Sequence, residues 1–359
     1  MNICGIICEL NPAHNGHKYI FDEAKRLTGA EYTIAIMSGD YVQRGEPALL
    51  DKHVRTRMAL SLGADACIEL PTIMATGSAQ YFARGAVAIA NLLGINYLVF
   101  GSECGDLDRL SSEEFTSPND VLASEYIKAI KYLSSDITPV AVSRIGTDYN
   151  DQETKAKSIC SASYIRAHLG DTASLSDVMP GRALSLLESA IATNTLVSPS
   201  DISSQIFYKL NSEISFGYNQ YFDVYDDLSK KIIKNLNSFT DFEAFCHVLK
   251  SKDIAYSHIK RALLHILLGL TGSQMDTIKA NGYITYIRLL GFRKEATALL
   301  AEIKKTSAAP IISKLADAST ILDPFNLSIL ENDIAGSHLY SMLSSNHVIN
   351  EYTRQIVIY

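Results

Sequence analysis

Five short, almost unbroken apolar runs in the first 144 residues constrain this chain more than any other feature. Residues 2–8, 32–37, 66–70, 96–100 and 138–144 lack the polar–apolar alternation of half-exposed strands, which marks strands buried on both faces. Helical spacing fills the intervals at 17–27, 52–62, 78–93 and 121–133. Strands alternating with helices of this length predict βαβ units and a parallel sheet, an α/β Rossmann-like fold. Ligands on such sheets bind beyond the carboxyl ends of the strands, where the strand order reverses. The loops after the first, fourth and fifth strands are therefore where a site is expected.

Beyond about residue 169 the alternation stops. Helical spacing at 182–195, 226–236 and 258–270, with few β-rich runs, predicts a mainly α-helical C-terminal domain. At 359 residues two domains are the natural expectation, since single cores rarely grow past ~250–300 residues. The division expected is 1–170 for a nucleotide-binding domain and 171–359 for the helical one, with Val178-Met179-Pro180-Gly181 near the boundary. A net charge of −7 argues against a general nucleic-acid coat. Both halves are mildly acidic, with Lys+Arg against Asp+Glu at 15 to 20 and 17 to 19, so any RNA contact must come from local clustering.

No apolar run approaches the ~20 residues that span a bilayer. Met1-Asn2-Ile3-Cys4-Gly5 opens a strand rather than a basic signal segment, so a cytoplasmic protein without membrane contact is expected. The six cysteines form no CxxC pair and have no histidine at ligand spacing, so they read as structural thiols, and no metal site is predicted. No feature specifies an oligomeric state.

The strongest local signal is Glu9-Leu10-Asn11-Pro12-Ala13-His14-Asn15-Gly16-His17, between the first strand and its helix. Pro12 restricts the loop, and Asn15-Gly16 lets the chain turn tightly into the helix. A helix N-terminus offers amide N–H groups and a positive dipole end to a phosphate. His14 and His17, three residues apart, are placed to face the same anion, and their N–H groups suit charge growing on an α-phosphate under attack. The competing reading is a pair of turn histidines, one of them capping the helix.

Asn11-Pro12-Ala13-His14-Asn15-Gly16-His17 resembles the HxGH signature of class I aminoacyl-tRNA synthetases and small nucleotidyltransferases. A longer set of segments resembles the bacterial tRNA(Met) cytidine acetate ligases. It comprises Ser38-Gly39-Asp40-Tyr41-Val42-Gln43-Arg44-Gly45-Glu46-Pro47-Ala48, Gly63-Ala64-Asp65, Glu69-Leu70-Pro71 and Phe100-Gly101-Ser102-Glu103. Ser117-Pro118-Asn119-Asp120, Arg144-Ile145-Gly146, Ser161-Ala162-Ser163-Tyr164-Ile165-Arg166 and Tyr286-Ile287-Arg288-Leu289-Leu290-Gly291-Phe292 continue it. Two features differ: Ala13 stands where an aromatic is expected, and the stretch from Glu103 to Asn119 is short.

The resemblance implies an HxGH nucleotidyltransferase domain followed by a helical domain that binds tRNA. It implies an enzyme that activates acetate as acetyl-adenylate with ATP, Mg²⁺ accompanying the nucleotide. The acetyl group then passes to N4 of the wobble cytidine of elongator tRNA(Met). By the same resemblance the loop comprising Ile7, Cys8, Glu9, Leu10, Asn11, Pro12, Ala13, His14, Asn15, Gly16, His17, Lys18, Tyr19 and Ile20 wraps ATP. Gly101 lies under the nucleotide, and Asn119 and Arg144 complete the pocket. Ser163 and Arg166 resemble a second phosphate motif, in which hydroxyl and guanidinium hold the β- and γ-phosphates.

Each of these residues also admits a plainer reading. Gly101 suits a strand-end turn, Asn119 and Ser163 suit helix caps, and Arg144 suits a surface salt bridge. Asp40 is a candidate to hold Mg²⁺ through water or to orient the cytosine amine, and equally a turn residue paired with Arg44. RNA contact is expected from residues 254–294, where Asp276 is the only acid against Lys260, Arg261, Lys279, Arg288, Arg293 and Lys294, with Tyr283, Tyr286 and Phe292 interleaved. A solvated basic face is the alternative. Two other whole readings stand beside the ligase: an adenylyltransferase for a small phosphorylated acceptor, and a non-catalytic RNA-binding module.

Overall fold

Strand β1 (Ile3–Cys8) leads into helix α1 (Asn15–Thr28), followed by β2 (Tyr32–Ser38), α2 (Lys52–Leu62) and β3 (Ala66–Leu70). Then come α3 (Ala79–Leu92), β4 (Tyr97–Ser102), α4 (Pro118–Tyr132) and β5 (Thr138–Ser143). The structure, a computed structural model, describes residues 1–144, 160–307, 309–345 and 347–359. Ile145 and Gly146 of the matched motif lie outside the described residues.

The five strands pair in parallel in the order β3-β2-β1-β4-β5, so the direction of winding reverses between β1 and β4. Successive residues of β1 and β2 enter opposite cores, because side chains alternate across a strand. Ile3, Ile34 and Ile36 pack with α3 and α4, whereas Cys4, Ile6, Ala35 and Met37 pack with α1, α2 and helix Gly181–Ala192. Both faces are covered, which accounts for the unbroken apolar runs.

The C-terminal half is mainly helical, as expected, and also adds three strands to the sheet. Residues Ile287–Phe292 form strand β6, antiparallel to β3. Strands β7 (Ile311–Ile312) and β8 (Val357–Ile358) pair in parallel with β6, giving an eight-stranded sheet. Gly291 is required there: a Cβ would lie 2.6 Å from Val357 O and 2.8 Å from Thr56 Cγ2. The remaining helices of this half, among them Ser203–Glu213, Phe242–Leu249 and Tyr256–Leu268, enclose a third core around Phe242, Phe245 and Leu263. Among the described residues no helix is long and apolar enough to cross a membrane.

A buried ion cluster fastens this half to the sheet. Lys52 Nζ lies 3.1 Å from Glu69 Oε1, 3.2 Å from Glu351 Oε2 and 3.7 Å from Asp40 Oδ2, and donates to Ser337 Oγ at 2.7 Å. Arg288, on β6, pairs with Glu69 at 2.8 Å and with Glu351 at 2.8 Å.

Two readings from the sequence are corrected by this cluster. Asp40 is buried against Lys52, whose amide also donates to Asp40 Oδ1 at 2.8 Å, so it neither pairs with Arg44 nor reaches a nucleotide site. Arg288 is buried and spent on two carboxylates, and is not an RNA contact. Lys260 is likewise buried against Glu46, and Arg261 faces Asp223 at 3.9 Å. The acids that neutralise these cations lie outside the 254–294 window, so the window's basic balance did not describe a surface. Arg293 and Lys294 do reach the surface. Phe292 pairs with Ala66, which puts them at the amino ends of the parallel strands.

Charge reversal at Arg288 would leave Glu69 and Glu351 facing a third buried carboxylate. Arg288→Glu is expected to cost about 3–5 kcal/mol of stability or to prevent folding. Urea unfolding measures this, and an unshifted midpoint would show that the pairing contributes nothing.

Candidate active site

A cavity of about 380 Å³ opens where the strand order reverses. Cys8 and Glu9 at the end of β1, Phe100 and Gly101 from β4, and Val142, Ser143 and Arg144 at the end of β5 line it from the sheet. Helix α1 adds His14, Gly16, His17 and Ile20, and α4 adds Asn119, Leu122 and Tyr126.

The two histidines hold each other by the backbone. His14 is the N-cap residue of α1, and its Nδ1 accepts from Gly16 N–H at 3.1 Å. His17 Nδ1 accepts from His14 N–H at 3.2 Å. Both Nδ1 atoms are therefore acceptors, which places the ring protons on Nε2. The rings lie 3.8 Å apart at 34°. Burial, with Arg144 adding to it, lowers the His14 pKa to about 4. Burial, then His14 and then Arg144, lowers that of His17 well below its usual value. The pair is neutral at physiological pH, with both Nε2–H donors available to a ligand.

The capping reading and the functional reading are thus both true of His14. The cap has a consequence for the backbone. Gly16 N–H is taken by His14 Nδ1, His17 and Lys18 N–H by His14 O at 2.9 and 3.2 Å, and Asn15 N–H by Val178 O at 2.9 Å. The first-turn amides are engaged, so the donors at this helix end are imidazoles rather than main-chain N–H groups.

Ile7, Cys8, Glu9, His14, Gly16, His17, Tyr19, Ile20, Gly101, Asn119 and Arg144, which the resemblance assigned to a nucleotide site, all line the cavity. Gly101 has Ile20 Cδ1 at 3.0 Å from where a Cβ would stand, so a side chain there would press on the cavity wall. Asn119 is not a cap: Ser117 occupies that position, and Asn119 Nδ2 donates to Glu103 Oε1.

Leu10, Asn11, Pro12 and Ala13 instead form the buried turn behind the cavity, where Asn11 Oδ1 accepts from Leu49 N–H at 2.7 Å. Asn15 Nδ2 donates to Asp177 O at 2.9 Å, and Lys18 pairs with Asp22 along the helix. In helix Ala162–Ala167 the cap is Ser161, not Ser163. Arg166 donates to Asn11 O at 2.7 Å and to Ser163 Oγ at 3.2 Å, bracing the loop from behind.

Sequence reasoning missed Tyr126 and Phe82 among the cavity residues. The signal for Tyr126 was present: Asn119, Leu122 and Tyr126 are spaced i, i+3, i+7 and share one helical face. Gln43 and Arg44, which the sequence placed in the family-like segment but not in the nucleotide site, reach the rim. Their hairpin, Tyr41–Val42 with Glu46–Pro47, is fixed by Glu9 Oε1, which accepts from Gln43 N–H at 2.7 Å. Gly45, at φ +75°, packs so closely on helix Tyr256–Leu268 that a Cβ would lie 2.4 Å from Arg261 N.

Comparison with known proteins adds an independent view. The family model described as HIGH Nucleotidyl Transferase matches residues 1–113 and 107–355. A tRNA(Met) cytidine acetate ligase of Clostridium perfringens (strain SM101 / Type A) is 33% identical, over 98% of this chain and 97% of its own length. One from Acetivibrio thermocellus is 32% identical over the whole of both chains. The crystal structure of Thermotoga maritima TmcAL bound with alpha-thio ATP superposes with a TM-score of 0.90 at 22% identity, covering 100% of this chain and 99% of that one. At that identity it shows that the folds are the same.

The depressed histidines set a pH dependence. The folded His14 resists protonation that the unfolded chain accepts at about 6.5, so stability is lost as pH falls from about 6.5 towards 4. At pH 5 the loss from His14 comes to about 2 kcal/mol. Urea unfolding of the ligand-free protein at pH 7.5 and 5.0 is expected to show a smaller acid penalty for His14→Gln than for the parent. Equal penalties would mean that His14 is not held neutral.

Proposed function

Because this chain belongs to the tRNA(Met) cytidine acetate ligase family, we propose that it activates acetate with ATP and acetylates N4 of the wobble cytidine of elongator tRNA(Met). In the first step a carboxylate oxygen of acetate bonds to the α-phosphorus as the bond to the pyrophosphate oxygen breaks. Acetate is already ionised at neutral pH, so the step needs positioning and charge stabilisation rather than a general base. In the second step the cytidine N4 bonds to the acetyl carbon, AMP departs and the amine releases a proton.

The observation that carries this reading is the neutral, Nε2-protonated His14–His17 pair on a cavity at the strand-order reversal. Two such donors are suited to α-phosphate oxygens whose charge grows during attack. Arg144 on the same cavity supplies fixed positive charge, and Gly101 and Asn119 offer a wall for the nucleoside. Glu9 is the one acidic side chain on the cavity among the described residues, so Mg²⁺ would ride chiefly on the triphosphate and water. The exposed Arg44 at the rim is available to tRNA phosphate. A tRNA substrate places the reaction in the cytoplasm.

The test supplies purified protein with ATP, labelled acetate and tRNA(Met), followed by mass spectrometry of the nucleosides. Acetylcytidine is expected. Acetate-dependent ATP–pyrophosphate exchange without acetylcytidine would remove the RNA step from the proposal, and adenylylation of a small phosphate ester would replace it. His14→Ala is expected to slow the exchange by about 10²–10³-fold while leaving tRNA retention on a filter near that of the parent.

A further inference from the structure

Seven tyrosines are buried among the described residues, and six of them use their hydroxyls internally. Tyr41 donates to Gly336 O at 3.0 Å, Tyr218 to Leu210 O at 2.5 Å and Tyr340 to Ala48 O at 2.8 Å. Tyr221 donates to Glu213 and Tyr286 to Asp333 at 3.5 Å, while Tyr283 accepts from Arg84 at 2.8 Å. Tyr126 is the exception. It is 5% exposed and lines the cavity, yet its hydroxyl has no hydrogen-bond partner among the described residues. The hydroxyl is not sealed from water, so it opens onto the cavity and is placed to donate to what fills it.

Its surroundings define the ligand's chemistry. The Tyr126 ring lies 5.5 Å from that of Phe100, tilted at 48°, and Phe82 and Leu122 line the same cavity, giving an apolar wall. Glu9 and Cys8, at the end of β1, are the ionisable groups that its hydroxyl senses, which puts it at the strand end that also leads into His14. A group bound there needs one hydrogen-bond acceptor and a small alkyl part. Adenine also packs against apolar walls, but a single hydroxyl beside the strand end that leads into His14 suits a short carboxylic acid next to the reacting phosphate.

We propose that the Tyr126 hydroxyl donates to the carboxylate of the acid to be activated, with Phe82 and Phe100 against its alkyl group. This wall is then the subsite that selects the acid, an inference that rests on the acid-activating reading above. Glu9 is the group that would oppose a second carboxylate. Burial raises its pKa, which lessens the repulsion, although the Gln43 N–H on its Oε1 works the other way.

The test is Tyr126→Phe in acid-dependent ATP–pyrophosphate exchange. The KM for acetate is expected to rise about tenfold or more, as for a lost hydrogen bond to a charged group, with the KM for ATP within twofold of the parent. Because the hydroxyl has no internal partner, the unfolding midpoint should stay with the parent's. An unchanged acetate KM, or an equal rise for ATP, overturns the inference. Phe82→Leu should raise propionate use relative to acetate, and an unchanged ratio counts against the apolar wall. A parent protein that exchanges pyrophosphate with no acid from formate to butyrate overturns both this inference and the reading beneath it. A parent active with acetate and indistinguishable from Tyr126→Phe overturns the inference alone.

Discussion

The ammonium of Lys52 is the charge around which the molecule closes. It is fully buried, and its partners come from four separate stretches: Asp40 after β2, Glu69 on β3, Ser337 in helix Pro324–Ser345, and Glu351 near the C-terminus. An ammonium taken out of water costs several kcal/mol unless its partners are in place. Two of those partners, Ser337 and Glu351, come from the C-terminal end, so α2 is buried against β3 at lower cost once that end is docked. Arg288 enlarges the cluster, since it shares Glu69 and Glu351 with Lys52. Burial pulls the Glu351 pKa upward, but Lys52, His53 and Arg288 together hold it well below the usual carboxylate range.

The same logic reaches the candidate active site through Arg55. Its guanidinium, fully buried on α2, donates to Leu50 O at 2.9 Å, Glu9 O at 2.7 Å, Ser38 O at 3.2 Å and Gly39 O. Those carbonyls belong to the chain leaving β1 and the chain leaving β2. One rigid, always-charged fork thus joins the HxGH loop to the hairpin that carries Gln43 and Arg44. Lys260 and Glu46 hold the other side of the hairpin against helix Tyr256–Leu268. The cavity is shaped by Arg55 and Lys260, cations that do not line it, which is how a site keeps its donors in place before substrate arrives.

What the sequence revealed follows from which signals are local. The five parallel strands and their helices were legible because burial on both faces leaves continuous apolar runs, and because α2 and β3 end at clear turn signals. The His14–Gly16–His17 turn was legible because its chemistry lies within one loop. Strand β6 was not: six residues containing Arg288 and Gly291 carry little β pattern, and their pairing partner lies more than two hundred residues earlier. The basic window failed for a related reason. Whether Lys260 or Arg288 meets water depends on Glu46, Glu69 and Glu351, distant in sequence and adjacent in space. Asp40 was misread in the same way, since its partner Lys52 is a helix residue that looks solvent-facing in one dimension.

In the proposed reaction, the two histidines would serve better as neutral donors than as charged ones. Two imidazolium rings with centroids 3.8 Å apart would repel by about 4 kcal/mol at an effective dielectric of 20, so double protonation is excluded. A cationic pair would also bind the triphosphate and the departing pyrophosphate tightly. Attraction felt equally before, during and after reaction does not lower the barrier. Neutral Nε2–H donors interact weakly with diffuse ground-state charge and more strongly as charge concentrates on an oxygen at the reacting phosphorus. The backbone amides that cap each Nδ1 keep the protons on the outer nitrogens, so the helix turn itself makes the rings donors towards the cavity.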